Sequence, residues 1–194
     1  NNIEDWGGIR NNHYLSNGTA LFILGSALPD LPGAQDWKQK GHDILEECCE
    51  RQILDDGVDY EMSTQYQRLV FEFLLTPYLF AKKNGDSFTQ EYENKLEKML
   101  EFTAACLKPD GTIALFGDGD NGRCQVMSEY NRVHINDHRY LLCIGSVLFG
   151  NGSFKAAAQS FFDETLWLCG PSSKEKFTNL GVESKFESCS FDDG

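Results

Sequence analysis

Apolar side chains recur three and four positions apart along most of the chain, the spacing that lines one face of an α-helix. Residues 12–28 carry Leu15, Thr19, Phe22 and Ile23 at that interval, and Pro29-Asp30-Leu31-Pro32-Gly33 stops the run. A second helix is predicted over 34–54 from the stripe Trp37, Gly41, Ile44, Leu45 and Cys48, closed by Asp55-Asp56-Gly57. A third covers 63–83, with Ser63 as its cap and Asn84-Gly85 as its stop. Its faces hold Tyr66, Leu69, Val70, Phe73 and Phe80, and Pro77 inside it is expected to kink or shorten it. The fourth, over 89–107, has the cleanest period: Tyr92, Leu96, Met99, Leu100, Thr103 and Leu107, before Pro109-Asp110-Gly111. Residues 116–123, rich in Gly and Asp, read as a loop. A fifth helix is predicted from Asn136-Asp137 to Phe149 and a sixth over 153–168. Beyond Gly170-Pro171 the pattern changes, and 182–191 alternates as a strand would.

Six helices joined by short turns fold as antiparallel pairs, so the fold class is all-α. No repeat of fixed period is visible, which argues against a solenoid. The expected layout is a helical domain over 1–170, then a linker and a first β-strand over 171–194. The chain opens on Asn1, not Met, and is expected to be part of a longer protein. Its longest apolar stretch, 20–29, is broken by Gly25 and Ser26 and falls short of the roughly 18 residues a membrane helix needs.

Charge narrows the partners. With 30 acidic and 17 basic residues the net charge is −13, which disfavours nucleic acid. The seven cysteines are odd in number and form no C-x-x-C pair, so they read as buried thiols, not as a disulfide framework or a zinc site. The loop 109–123 alternates Asp and Gly but lacks the Glu a calcium loop carries at its twelfth position. His134 and His138 are four apart but flank Asn136-Asp137, which reads as a helix cap. No metal and no cofactor are expected.

Four segments break the helical pattern and carry chemistry. Arg10-Asn11-Asn12-His13 places amides and an imidazole at a helix start, where the helix dipole favours a bound carboxylate. Either Asn also serves as a plain cap. The segment from Asp59 through Glu61, Ser63, Tyr66 and Gln67 to Arg68 is dense in hydrogen-bonding groups. In it Tyr66 reads either as a core aromatic or as a proton carrier with Arg68 beside it. The loop with Asp118 and Arg123, and the stretch from Arg132 to Arg139, complete the set. Together these segments hold Arg10, His13, Arg68, Arg123, Arg132, His134, His138 and Arg139, which would make a local cationic cleft on an acidic protein only if the fold brings the segments together.

Taken in order, Arg10-Asn11-Asn12-His13, then Asp56-Gly57 through Tyr66-Gln67-Arg68, then Pro109-Asp110-Gly111 through Arg123, resemble the heparinase II/III-like and alginate-lyase-like polysaccharide lyases. The resemblance runs over residues 11–168, and the tail 186–194 resembles the first strand of that family's β-sandwich. It implies an incomplete (α/α) toroid of helical hairpins, part of a larger protein with a β domain. It also implies cleavage of an acidic, uronic-acid-containing polysaccharide or oligosaccharide by β-elimination. By resemblance Asn12 and His13 neutralise the sugar carboxylate and Tyr66 is the acid or base. Glu61, Arg68, Asp118 and Arg123 would contact substrate and shape the cleft. Gln67 stands where the family often has His, and the usual second catalytic group belongs to the β domain, so these 194 residues alone are expected to be inactive.

Two other classes compete. One is a non-catalytic glycan-binding or polysaccharide-biosynthesis domain of the same fold. The other is a helical-toroid glycoside hydrolase, for which Glu61 and Asp118 are the available carboxylate pair. The family suggests export to the periplasm, whereas unpaired cysteines suggest a reducing interior.

Overall fold

The computed structural model describes residues 3–5, 7–8, 10–119, 122–127, 134–183 and 189–193. Among them are eight helices: α1 (Asn12–Ala27), α2 (Ala34–Gln52), α3 (Thr64–Asn84), α4 (Gln90–Ala105), α5 (Arg139–Phe149), α6 (Gly152–Ala158), α7 (Asp163–Cys169) and α8 (Ser173–Asn179). The architecture is all-α, as the periodicity predicts. α1 packs along α2 as an antiparallel hairpin, α3 against α1 and α4, and α5 against α4, α6, α7 and α8. The stretch Tyr140–Ser146 of α5 is buried on every side, and with Leu15, Phe22, Leu74, Tyr92 and Leu96 it forms the core.

Hydrogen-bond demand explains the less regular points. The α1–α2 approach is close because Gly41 has no side chain, and one there would meet the Gly18 carbonyl at 2.8 Å. α3 is not shortened by Pro77 and runs on to Asn84. Proline cannot donate to the carbonyl four residues back, so Phe73 O loses its helical partner. The Thr19 hydroxyl of α1 donates to that carbonyl at 2.9 Å. Replacing Thr19 by Val keeps the shape and leaves the carbonyl unsatisfied. The expected cost is about 1–3 kcal/mol, a thermal midpoint lower by several degrees, with Thr19→Ser recovering most of it.

Two expectations are corrected. The sixth predicted helix is two helices, because Gln159 takes a left-handed φ of 63° and ends α6. α8 was not predicted, since Phe177 is the main apolar anchor of so short a segment. Of the strand predicted over 182–191, residues 184–188 lie outside the described residues, and 182–183 and 189–191 form no strand.

Two turns, after α2 and after α4, are built alike. Gly57 N–H donates to Leu54 O, Leu54 N–H to Val58 O and Tyr60 N–H to Gln52 O. The same three bonds join Gly111 to Lys108, Lys108 to Thr112 and Ala114 to Cys106, each 54 positions later. Asp56 and Asp110 each accept the backbone N–H two residues on, and Gly57 and Gly111 supply the positive φ (89° and 82°). This is a three-residue hairpin loop, a tight turn followed by a left-handed glycine. Each loop sends the chain back toward the end of the molecule where α1 and α3 begin.

Candidate active site

At that end the first return segment delivers Asp59, Tyr60 and Glu61, and the second delivers residues 114–119. Asn11, in extended conformation, is the cap of α1, its side chain accepting His13 N–H at 3.1 Å. Asn12 is therefore spared that duty and sits nine-tenths buried in the first turn. The Glu61 carboxylate lies near the backbone N–H of Asn12 and the Tyr60 hydroxyl, and it feels the charges of His13 and Asp118. Burial raises the Glu61 pKa, Asp118 adds to the rise, and the Asn12 N–H and His13 oppose it. Burial with the nearby Glu61 charge pushes the Tyr60 phenol up to about 12.

Ser63 ties the other side together. It caps α3 by accepting Tyr66 N–H at 3.2 Å, and its hydroxyl donates to the Asp118 carbonyl. Thr64 N–H donates to Phe116 O at 3.3 Å. Tyr66 is thus half-buried in the first turn of α3, directly beside the loop that carries Asp118. Asn12, His13 and Asp118 thus lie near Glu61, and Ser63 bonds the backbones of both Tyr66 and Asp118.

Arg68 and Arg123 are placed differently from the expectation of direct substrate contact. Arg68 is 1% exposed, and its guanidinium donates to Ile135 O at 2.6 Å and Gly122 O at 3.1 Å and lies 3.2 Å from His138 Nε2. Arg123 lies 3.6 Å from Glu72 and 3.9 Å from Glu164, with its guanidinium over the Tyr140 ring at 4.3 Å. Glu72 is fully buried; it accepts Cys124 N–H, Gln125 N–H and the Tyr140 hydroxyl. His138 is held neutral, its pKa pushed down to about 3 by burial and by the two arginines. These side chains hold the loops that frame the site. Sequence reasoning missed Glu72, Tyr140 and Glu164 as parts of it; an isolated Glu inside the apolar run of α3 is the one signal that pointed there.

The cationic cleft that these segments could make does not form among the described residues. Arg10 pairs with Glu47 and Asp5, His13 with Glu4 at 3.0 Å, and Arg139 with Asp137 at 2.6 Å. Arg68 and Arg123 are interior, His134 takes a backbone N–H, and Arg132 lies outside the described residues. A carboxylate reaching this end meets neutral donors and a helix terminus in place of a cluster of cations. Among the described residues no group of three or more His, Cys, Asp or Glu could hold a metal.

Gln67 is a clamp: it accepts Asp59 N–H at 2.7 Å and donates to Gly57 O at 2.8 Å, fixing the first return segment. Asp59 beneath it is fully buried, and burial with the Glu61 charge pushes its carboxyl up to about 7. The folded state therefore keeps a proton that the unfolded chain releases near pH 4. Stability is expected to fall as pH rises from about 4 to about 7 and to level off above. Asp59→Asn should gain on the wild type over that window; a thermal-midpoint difference independent of pH would refute it.

Solved structures share this fold. A solved heparinase III with methylated lysines superposes over 80% of this chain with a TM-score of 0.61 at 24% identity, the chain covering 24% of it. A second heparinase III crystal structure matches 54% of the chain with a TM-score of 0.51 at 24% identity and 17% coverage of that protein. The fold is thus that of the helical toroid region of a heparinase III. A family model described as the heparinase II/III N-terminus matches residues 4–137, and the chain belongs to this family. Among curated relatives, a heparin-sulfate lyase of Bacteroides stercoris is 28% identical over 109 residues, 55% of this chain and 16% of the relative. Another, of Bacteroides thetaiotaomicron, is 30% identical over 129 residues, 62% of this chain and 18% of the relative. The chain thus spans less than a fifth of the length of these relatives.

Proposed function

We propose that this chain supplies the helical half of the active site of a polysaccharide lyase that cleaves an acidic, uronic-acid-containing glycan by β-elimination. The observation that carries the reading is the closeness of two helix starts: Asn12, relieved of capping by Asn11, lies near Glu61, and Ser63, which caps α3 one residue before its first turn and accepts Tyr66 N–H, bonds the loop that carries Asp118.

The chemistry follows from the substrate. The proton on C5 of a uronic acid is weakly acidic while the neighbouring carboxylate keeps its full charge. Hydrogen bonds to that carboxylate make the developing enolate accessible. Asn12 and the α1 terminus provide them, with His13 at the rim. Tyr66 moves the proton, as base at C5 or as acid at the departing glycosidic oxygen, and a C4–C5 double bond forms as the C4–O bond breaks. Glu61 and Asp118 bind sugar hydroxyls, and Arg68 and Arg123 shape the cleft from behind. The partner proton carrier belongs to residues outside this sequence.

The test is the full-length protein incubated with heparan sulfate, then with other uronate polymers, while the ultraviolet absorbance of the unsaturated product is followed. Rising absorbance supports the reading. Binding without absorbance favours a non-catalytic glycan-binding domain. Chain cleavage without absorbance, lost on changing Glu61, favours a hydrolase.

A further inference from the structure

The segment 189–193 lies along α4 in a regular register. Its backbone N–H at Asp193 donates to the Asp56 carboxylate at 3.0 Å, beside the turn whose Gly57 packs on the backbone of Lys98 and Met99. Two residues earlier, the Phe191 ring meets the edge of Phe102, with centroids 5.0 Å apart at 90°. Two residues earlier again, Cys189 lines the same groove as Ala105 and Leu107, a concavity of about 1090 Å³ between α4 and α6. Two residues of extended chain advance about 6.6 Å and four residues of helix about 6 Å. The segment therefore runs antiparallel to α4 in step with it, Asp193 by Lys98, Phe191 by Phe102, and Cys189 by Cys106. The sulfur of Cys189 is near enough to Cys106 to add to the rise of that thiol, which burial pushes up to about 11.

We infer that Cys106 and Cys189 form a redox clasp, a disulfide that locks the 189–193 segment onto α4. The sequence pattern had left both as unpaired thiols, and in this structure both are reduced. Cys189 is exposed and Cys106 half-buried, which orders the chemistry. The Cys189 thiolate attacks an external disulfide, such as oxidised glutathione, forming a mixed disulfide and releasing one glutathione thiolate. The Cys106 thiolate then attacks the Cys189 sulfur and releases the second. The cysteines lose two electrons and two protons, and the oxidised glutathione becomes two thiols. Because the second nucleophile has a raised pKa, the closing step accelerates with pH through the alkaline range.

The test uses the full-length protein, reduced, then incubated with oxidised glutathione at mildly alkaline pH, alkylated and digested without reduction. Mass spectrometry is expected to find one cross-linked peptide joining Cys106 to Cys189, lighter by two hydrogens than the two thiol peptides. Cys189→Ser abolishes it and leaves Cys106 alkylated. Phe191→Ala, which removes the ring seated on Phe102, slows its formation severalfold. Recovery of both residues in alkylated form overturns the clasp, and so does pairing of Cys189 with another cysteine such as Cys124.

Discussion

Tyr66→Phe in the full-length protein is expected to lower unsaturated-product formation by roughly 10²–10⁴-fold, the usual contribution of a positioned proton carrier. The thermal midpoint should stay within a few degrees. Asn12→Asp adds a second test. The helix dipole favours a carboxylate in the first turn of α1 by about 0.3–1 kcal/mol, while burial beside Glu61 opposes it, so its thermal midpoint is read alongside its activity. The same charge faces the substrate carboxylate beside Glu61, and activity should fall by at least about 10²-fold. Wild-type turnover in either variant would remove the proposed site.

The second large effect lies in the interior. Arg123 stands between Glu72 and Glu164, both almost wholly buried. Arg123→Met keeps the bulk and removes the cation facing two buried carboxylates, at an expected cost of about 3–5 kcal/mol. For a chain of this size that lowers the thermal midpoint by roughly 6–20 °C. Adding Glu164→Gln should recover part of the loss, because one of the two buried negative charges is gone. Circular dichroism melts of the three proteins decide it, and an unchanged midpoint in Arg123→Met would mean that the pair does not hold the loop.

The first four helices were legible because their stripes end in strong local signals: Ser63 caps α3, Thr89 caps α4, and Pro or Gly closes each run. What was not legible depends on conformation or on distant partners. Asn11 and Asn12 are equivalent as letters, and only the backbone decides which of them caps. The break at Gln159 lies in a left-handed residue that periodicity does not register. Arg68 and Arg123 read as surface cations because their partners, Gly122, Ile135, Glu72 and Glu164, lie far along the chain or inside apolar runs. Gln67 looked like a lost proton carrier and proved to be a brace. The order of the motif-bearing segments, by contrast, was plain in the sequence, and it led to the family that the comparisons show.

The paired turns after α2 and α4 bear on how such a site diversifies. Position 61 in one corresponds to position 115 in the other, where a half-buried Glu61 is matched by an exposed Leu115. Each loop is closed by main-chain bonds and an Asp–Gly corner, so these outward positions bear little of the folding burden. A lineage can rewrite them while the underlying helices go on folding unchanged.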